Sequence, residues 1–279
     1  MDGLLTLFIL FMGYKIIESK AKSKKSYKKP TATFTTTPIK PLTPAIEKPK
    51  KTLFTNLEKT EYYKSTYYQI TKNSYESAIK DTGKNGEYMI YKQIKHFEQS
   101  GGKLLFNCYL PKDNKTTEID VMLICYYGIF VFESKNYGGW IFGDEQADVW
   151  TQTLPAKRRT SRKEHFYNPI KQNRTHIEYL KKQIGNDIPI YSIIVFSDNC
   201  TFKNVPQSNL EYEIIHLNQL VNTINRTIAS KINILDIEKV NQIYNILYPY
   251  TQVSDEVKKQ HINDIKKLKR AYKKNAQNP

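Results

Sequence analysis

Two adjacent apolar runs between Thr117 and Trp140, TEIDVMLICYYGIFVFESKNYGGW, constrain this chain more than any other stretch. Ile119, Val121 and Leu123 alternate with Asp120, Met122 and Ile124, and Tyr127 and Gly128 close a turn into Ile129 to Lys135. That is the pattern of a β-hairpin. Strand side chains alternate between faces, so Val131, Glu133 and Lys135 share one face and Phe130, Phe132 and Ser134 the other. Two carboxylates and an ammonium therefore emerge from a hydrophobic hairpin. A broken buried pair costs roughly 3 to 5 kcal/mol, so these groups must be paired or must hold a cation.

A divalent metal meets that need. Hard cations such as Mg²⁺ take one or two carboxylates plus water and substrate phosphate, and Asp120 with Glu133 would supply the pair. Lys135, on the same face as Glu133, is placed to polarise an attacking water or to neutralise charge developing on a phosphate.

Asp120 followed by Glu133-Ser134-Lys135 resembles the core of the PD-(D/E)xK metal-dependent nucleases. Further residues narrow the resemblance: Gly83-Lys84-Asn85-Gly86-Glu87 opening a helix, Ile119-Asp120, Gly128 to Asn136, Gly139, Gly143-Asp144, Trp150 and Asn168-Pro169-Ile170-Lys171-Gln172. Together these are similar to the NERD (nuclease-related) domain over about residues 80 to 200. Ser134 stands where that family more often carries an aliphatic residue, and its side chain is expected on the face away from the metal.

The resemblance implies an α/β fold, a restriction-endonuclease-like mixed sheet flanked by helices. It implies Mg²⁺- or Mn²⁺-dependent hydrolysis of a nucleic-acid phosphodiester, DNA or else RNA. Asp120 and Glu133 would hold the metal and Lys135 would act on water or phosphate. In the superfamily a helix glutamate often completes the metal site, which gives Glu87 a supporting role. Gln172 matches the glutamine of the NPxxQ motif, expected to face the site and orient water or phosphate. A catalytically quiet nucleic-acid-binding or scaffold module on the same fold is the alternative, because function belongs to the site rather than the fold.

The formal charge of +16 points to polyanionic partners. Most of the surplus sits in the tails: residues 1–60 hold 12 Lys and Arg against 4 acids and residues 251–279 hold 8 against 3, whereas residues 61–250 hold 23 against 20. Within that balanced middle the dense cluster is Lys157, Arg158, Arg159, Arg162 and Lys163, in what reads as a polar loop between Trp150 and Asn168. It is either a phosphate-backbone clamp or a solvated charge run. Cys108, Cys125 and Cys200 have no CxxC pairing, which argues against a disulfide framework or a zinc knuckle. The five histidines are scattered and read as ordinary surface or core imidazoles.

Leu4 to Met12 is continuously apolar and extends imperfectly through Ile17, about 14 residues against the roughly 20 of a comfortable span. Lysines from Lys20 to Lys29 follow it. The positive-inside rule makes residues 1–19 an N-terminal transmembrane anchor in the cell membrane, single-pass, with the body of the chain cytoplasmic. An interfacial helix or a cleaved signal is the competing reading. Residues 20–59, rich in Lys, Pro and Thr, form a disordered tether.

Residues 60–200 are the nuclease-like domain, residues 201–250 its helical C-terminal part, and residues 251–279 a C-terminal basic amphipathic helix for nucleic acid, membrane surface or partner. Tyr62, Tyr63, Tyr67, Tyr68 and Tyr75 form either an amphipathic helix packed on the domain or a surface for single-stranded bases. The periodicity further predicts helices over 83–99, 168–184, 217–228 and 236–247. Strands are predicted over 103–110, 118–124, 129–135, 140–143, 188–197 and 213–216. In the helix after Asn168, Ile170, Ile177, Leu180 and Ile184 are expected to be buried, with Gln172, Arg174 and His176 elsewhere around it.

Overall fold

The structure is a computed structural model and describes residues 51–155, 160–229 and 231–277, with side chains for 56–155, 160–229 and 231–270. In chain order its elements are α1 (Lys51–Lys64), α2 (Thr66–Thr71), α3 (Tyr75–Lys80), α4 (Thr82–Ile94), β1 (Lys103–Lys112), β2 (Lys115–Cys125), β3 (Gly128–Lys135), β4 (Gly139–Phe142), β5 (Val149–Pro155) and β6 (Ser161–Tyr167). These are followed by α5 (Pro169–Ile184), β7 (Ile190–Phe196), β8 (Cys200–Asn204), β9 (Glu213–His216), α6 (Leu220–Ala229), α7 (Ile237–Leu247) and α8 (Asp255–Gln277). The expected anchor and the tether as far as residue 50 lie outside the described residues; residues 51–59, expected to be disordered tether, instead belong to helix α1. Among the described residues no helix is long and apolar enough to cross a membrane.

The hairpins read from residues 103 to 135 form as expected and seed a five-stranded sheet of order β1-β2-β3-β7-β9. Its first three strands are antiparallel, while β7 runs parallel to β3 and β9 parallel to β7. Strands buried on both faces carry near-continuous apolar sequence, and Leu123, Ile129, Phe130, Phe132 and Ile194 are all inaccessible to solvent. Helix α4 lies on one face of this sheet and α5 on the other. Gly86 of α4 abuts Ser134, His176 of α5 reaches Glu133, and consecutive residues of β3 point to opposite faces.

One mixed sheet was the expectation; there are two. The second has order β6-β5-β4-β8, with β4 antiparallel to β5, β5 antiparallel to β6 and β8 parallel to β4. The stretch between Trp150 and Asn168, read as a polar loop, instead contributes the antiparallel strands β5 and β6; residues 156–159 lie outside the described residues. Trp150 opposite Phe166 supplies the apolar anchor that holds β6 to the core, and both rings are buried against Phe196.

The helix predicted over 83–99 ends at Ile94 and continues as a 3-10 turn to Ser100. The tyrosines of α1 to α3 pack inward: Tyr62 and Tyr67 have no exposure and meet Tyr88 edge-on or tilted, so the packing reading holds over the base-stacking one. The basic C-terminal helix forms as α8. It docks through buried His261 and Asp264 while Ile262, Ile265 and Leu268 stay exposed among lysines.

Candidate active site

The active-site candidates gather where both ladders of β2 break. The β2–β3 pairing stops at Val121–Phe132, one step short of placing Asp120 opposite Glu133. On the other side the β1–β2 register skips Asn107 and Asp120, because Asn107 has φ +49°, a left-handed conformation that asparagine tolerates better than most residues. Freed from a regular pleat, Asp120 accepts the Ser134 N–H at its Oδ2 (2.8 Å). Its Oδ1 has no hydrogen bond to the described residues.

Glu133, 1 % exposed, is held from two sides. Lys135 Nζ donates to its Oε1 (2.5 Å) and His176 Nε2 donates to its Oε2 (3.1 Å). Lys135 Nζ also donates to Gln172 Oε1 (3.1 Å). Asp120, Glu133, Lys135 and Gln172 therefore meet in one place, as the sequence suggested. Glu87, in the first turns of α4, is buried and takes the Tyr67 hydroxyl at its Oε2 (3.2 Å). It is within electrostatic reach of Asp120.

His176 is the correction. Expected away from the buried stripe, it is 4 % exposed and completes a chain from Thr117 Oγ1 through its Nδ1 (2.6 Å) to Glu133. Donation to a carboxylate requires the proton on Nε2, which leaves Nδ1 to accept from Thr117 when the ring is neutral. The signal was in the sequence: His176 follows Gln172 by four residues, so both project from the same side of α5. Asn173 joins them, donating to Val131 O (3.2 Å) and Ser192 Oγ (2.8 Å). Asn168 caps α5 through the Ile170 N–H and also donates to Asp144 O, Glu145 O and Ala147 O.

The electrostatics divide the carboxylates. Burial alone would raise Glu133, but the Lys135 ammonium and the His176 hydrogen bond outweigh it and hold the group below its ordinary range. Burial would lower Lys135, yet Glu133 keeps it protonated, above its ordinary value. Asp120 has no such partner; burial, then Glu133 and Glu87, push it well up, only partly offset by Lys135. Burial and then Glu118 push Glu87 up to about 8 against hydrogen bonds from Asn107 and Tyr67.

Among the described residues no three His, Cys, Asp or Glu side chains converge to hold a metal by themselves. That donor set suits a hard cation completed by water and phosphate rather than a structural zinc. The chemistry fits, because Asp120 is a carboxylate crowded by Glu133 and Glu87, and an added cation would favour its ionised form.

The clamp residues divide. Arg162 and Lys163 sit on β6, Arg162 paired with Glu164 (2.8 Å), and Lys157, Arg158 and Arg159 lie outside the described residues.

The nuclease-related domain model matches residues 82–197. An uncharacterised protein of Bacillus anthracis is 30% identical over 182 residues, 64% of this chain and 82% of that protein. The chain belongs to the NERD family. Membership places it in the PD-(D/E)xK superfamily, and the matched region spans Glu87, Asp120, Glu133, Lys135 and Gln172. Two elements of the matched region hold the site's frame: Asn136 Nδ2 donates to Thr82 O (3.0 Å) and Asn85 Oδ1 (3.2 Å), tying the end of β3 to the start of α4. No solved structure matches the chain.

Proposed function

We propose that this NERD protein is a metal-dependent nuclease that hydrolyses phosphodiester bonds of DNA, or of RNA, with Mg²⁺ or Mn²⁺ as cofactor. The observation that carries the reading is the meeting of Asp120, Glu133, Lys135 and Gln172 at the broken end of the β2–β3 ladder. Asp120 and Glu133 would hold the cation, which supplies Lewis-acid activation of water and neutralises phosphate charge. Lys135, kept protonated by Glu133, contributes a fixed positive charge where the phosphorane-like charge grows, and Gln172 holds its ammonium in place. Glu87, in electrostatic range of Asp120 and protonated in the metal-free site, would give up its proton and add its charge once a cation is held there. Arg162 and Lys163, with Lys157, Arg158 and Arg159 of the same run, would supply backbone contacts to the polyanion.

The test is cleavage of plasmid, linear DNA and RNA by the full chain, with Mg²⁺, with Mn²⁺ and with chelator. Wild type should cut only with metal, and Glu133→Ala and Lys135→Ala should each lose at least about a hundredfold in rate. Metal-independent binding without cutting, unchanged by either substitution, would instead favour the adaptor.

We also infer, from the apolar run at residues 4–12 and the lysines after it, that the chain is tethered to the cell membrane with its body in the cytoplasm. Full-length protein should then sediment with membranes through a high-salt wash, and deletion of residues 1–19 should release it. Equal sedimentation of both forms by a route independent of this segment would contradict the tether.

A further inference from the structure

The second sheet has one face in the core and one in water, and the wet face is unusual. Ile141, Trp150 and Phe166 fill the inner side. On the outer side of β4, Trp140 is 52 % and Phe142 36 % exposed. Isolated apolar residues on a surface are ordinary; two large aromatics at i and i+2 of one strand make a platform.

The neighbours of this platform are cationic or neutral. Trp140 pairs with Thr153, which pairs with Lys163; Phe142 pairs with Thr151, which pairs with His165. On the other flank Lys203 of β8 places its Nζ 5.0 Å from the Trp140 ring centroid. Among the described residues none that the register places on this face is acidic. Glu164 points to the other side, paired with Arg162. Exposed rings flanked by ammonium groups with no acid between them complement a strand of bases on a phosphate backbone, because every base has a stackable face and every linkage a charge.

We propose that the outer face of the second sheet binds a single-stranded polynucleotide, with bases stacked on Trp140 and Phe142 and phosphates held by Lys163 and Lys203. A duplex hides its base faces and cannot use the rings this way. The position suits delivery to the active site. Only Asn136, Tyr137 and Gly138 separate Lys135 from β4, so Trp140 lies at most about 18 Å along the chain from Lys135. The junction is fixed, since Gln152 Nε2 donates to Gly138 O (2.8 Å) and the Ser197 N–H to Lys135 O (3.1 Å). The inference rests on the nuclease reading for the meaning of that proximity; its test does not.

Full-length protein in chelator, where no metal-dependent turnover occurs, is titrated with oligothymidylate and with a blunt duplex of equal length. Trp140 is exposed and Trp150 buried, so quenching of tryptophan emission reports the platform. Single strands should quench and bind roughly tenfold or more tighter than duplex. Trp140→Ala should lose quenching and, by anisotropy of labelled oligonucleotide, weaken binding about tenfold, whereas Trp140→Phe should stay within about threefold of wild type. Replacing Lys163 and Lys203 together with alanine should lower the slope of log affinity against log salt by about 1.4. Equal affinity for duplex, or Trp140→Ala binding like wild type, overturns the platform. A chain that binds single strands yet never cuts with metal leaves it standing and overturns the nuclease reading alone.

Discussion

Glu87 shows what the active site costs the fold. Its carboxyl is driven to about 8 by burial and by Glu118, whereas in the unfolded chain it titrates near 4.5. The native state therefore holds a proton that the unfolded state has released between those values, and stability falls as pH rises through that window. With chelator present, the urea midpoint should drop from pH 5 to pH 8 by an amount worth a few kcal/mol, about the size such a shift implies. Glu87→Gln, which keeps the shape and the Tyr67 contact, should make the profile shallower, leaving the part due to Asp120, and be the more stable protein at pH 8. A wild-type profile already flat would show that Glu87 is ionised throughout. At this scale Asp120, Glu133 and Lys135 were legible because charges on a strand of known period can be assigned to a face. The left-handed Asn107, which frees Asp120, was not, since nothing in the residues around it marks a break in the ladder.

At the scale of elements, the α4–β3 contact positions the site. A Cβ at Gly86 would lie 2.5 Å from Ser134 Oγ and 2.9 Å from Asn136 Cβ, so α4 and β3 touch because residue 86 has no side chain. Ser134 is the residue whose N–H fixes Asp120, and Asn136 binds the start of α4. Gly86→Ala should destabilise by roughly 1 to 3 kcal/mol in urea unfolding and should weaken cutting beyond what the lost stability explains. Unchanged activity and stability would mean that the helix shifts freely. Helix α5 was readable from Asn168-Pro169, a cap followed by a residue suited to the first turn. Strands β5 and β6 were not: β5 buries the polar Gln152 and Thr153 beside Trp150, and in the edge strand β6 Arg162, Lys163, Glu164 and His165 are all exposed, so neither shows apolar alternation. Strand β8 does alternate, with Cys200 and Phe202 inside and Thr201 and Lys203 exposed, but five residues are too short a run to stand out.

Over the whole molecule, the sequence showed an α/β nuclease-like core but not its division into two sheets. Apolar periodicity reports buried apolar side chains, and the second sheet has short strands that place polar Gln152 and Thr153 at buried positions. Net charge was a poor guide, because the surplus lies in the tails and the site itself is acidic, with Glu87, Glu118 and Glu133 all in electrostatic range of Asp120. A cluster of that sign is tolerated when a cation completes it. The most direct test is the melting temperature of the full chain, metal-free and with Mn²⁺ at a hundredfold excess over its Kd, for wild type and for Asp120→Asn. A cation held by the folded state should raise the wild-type midpoint by about 5 to 10 °C and leave Asp120→Asn nearly unmoved. An equal rise in both proteins, or none in either, would contradict a cation site at Asp120.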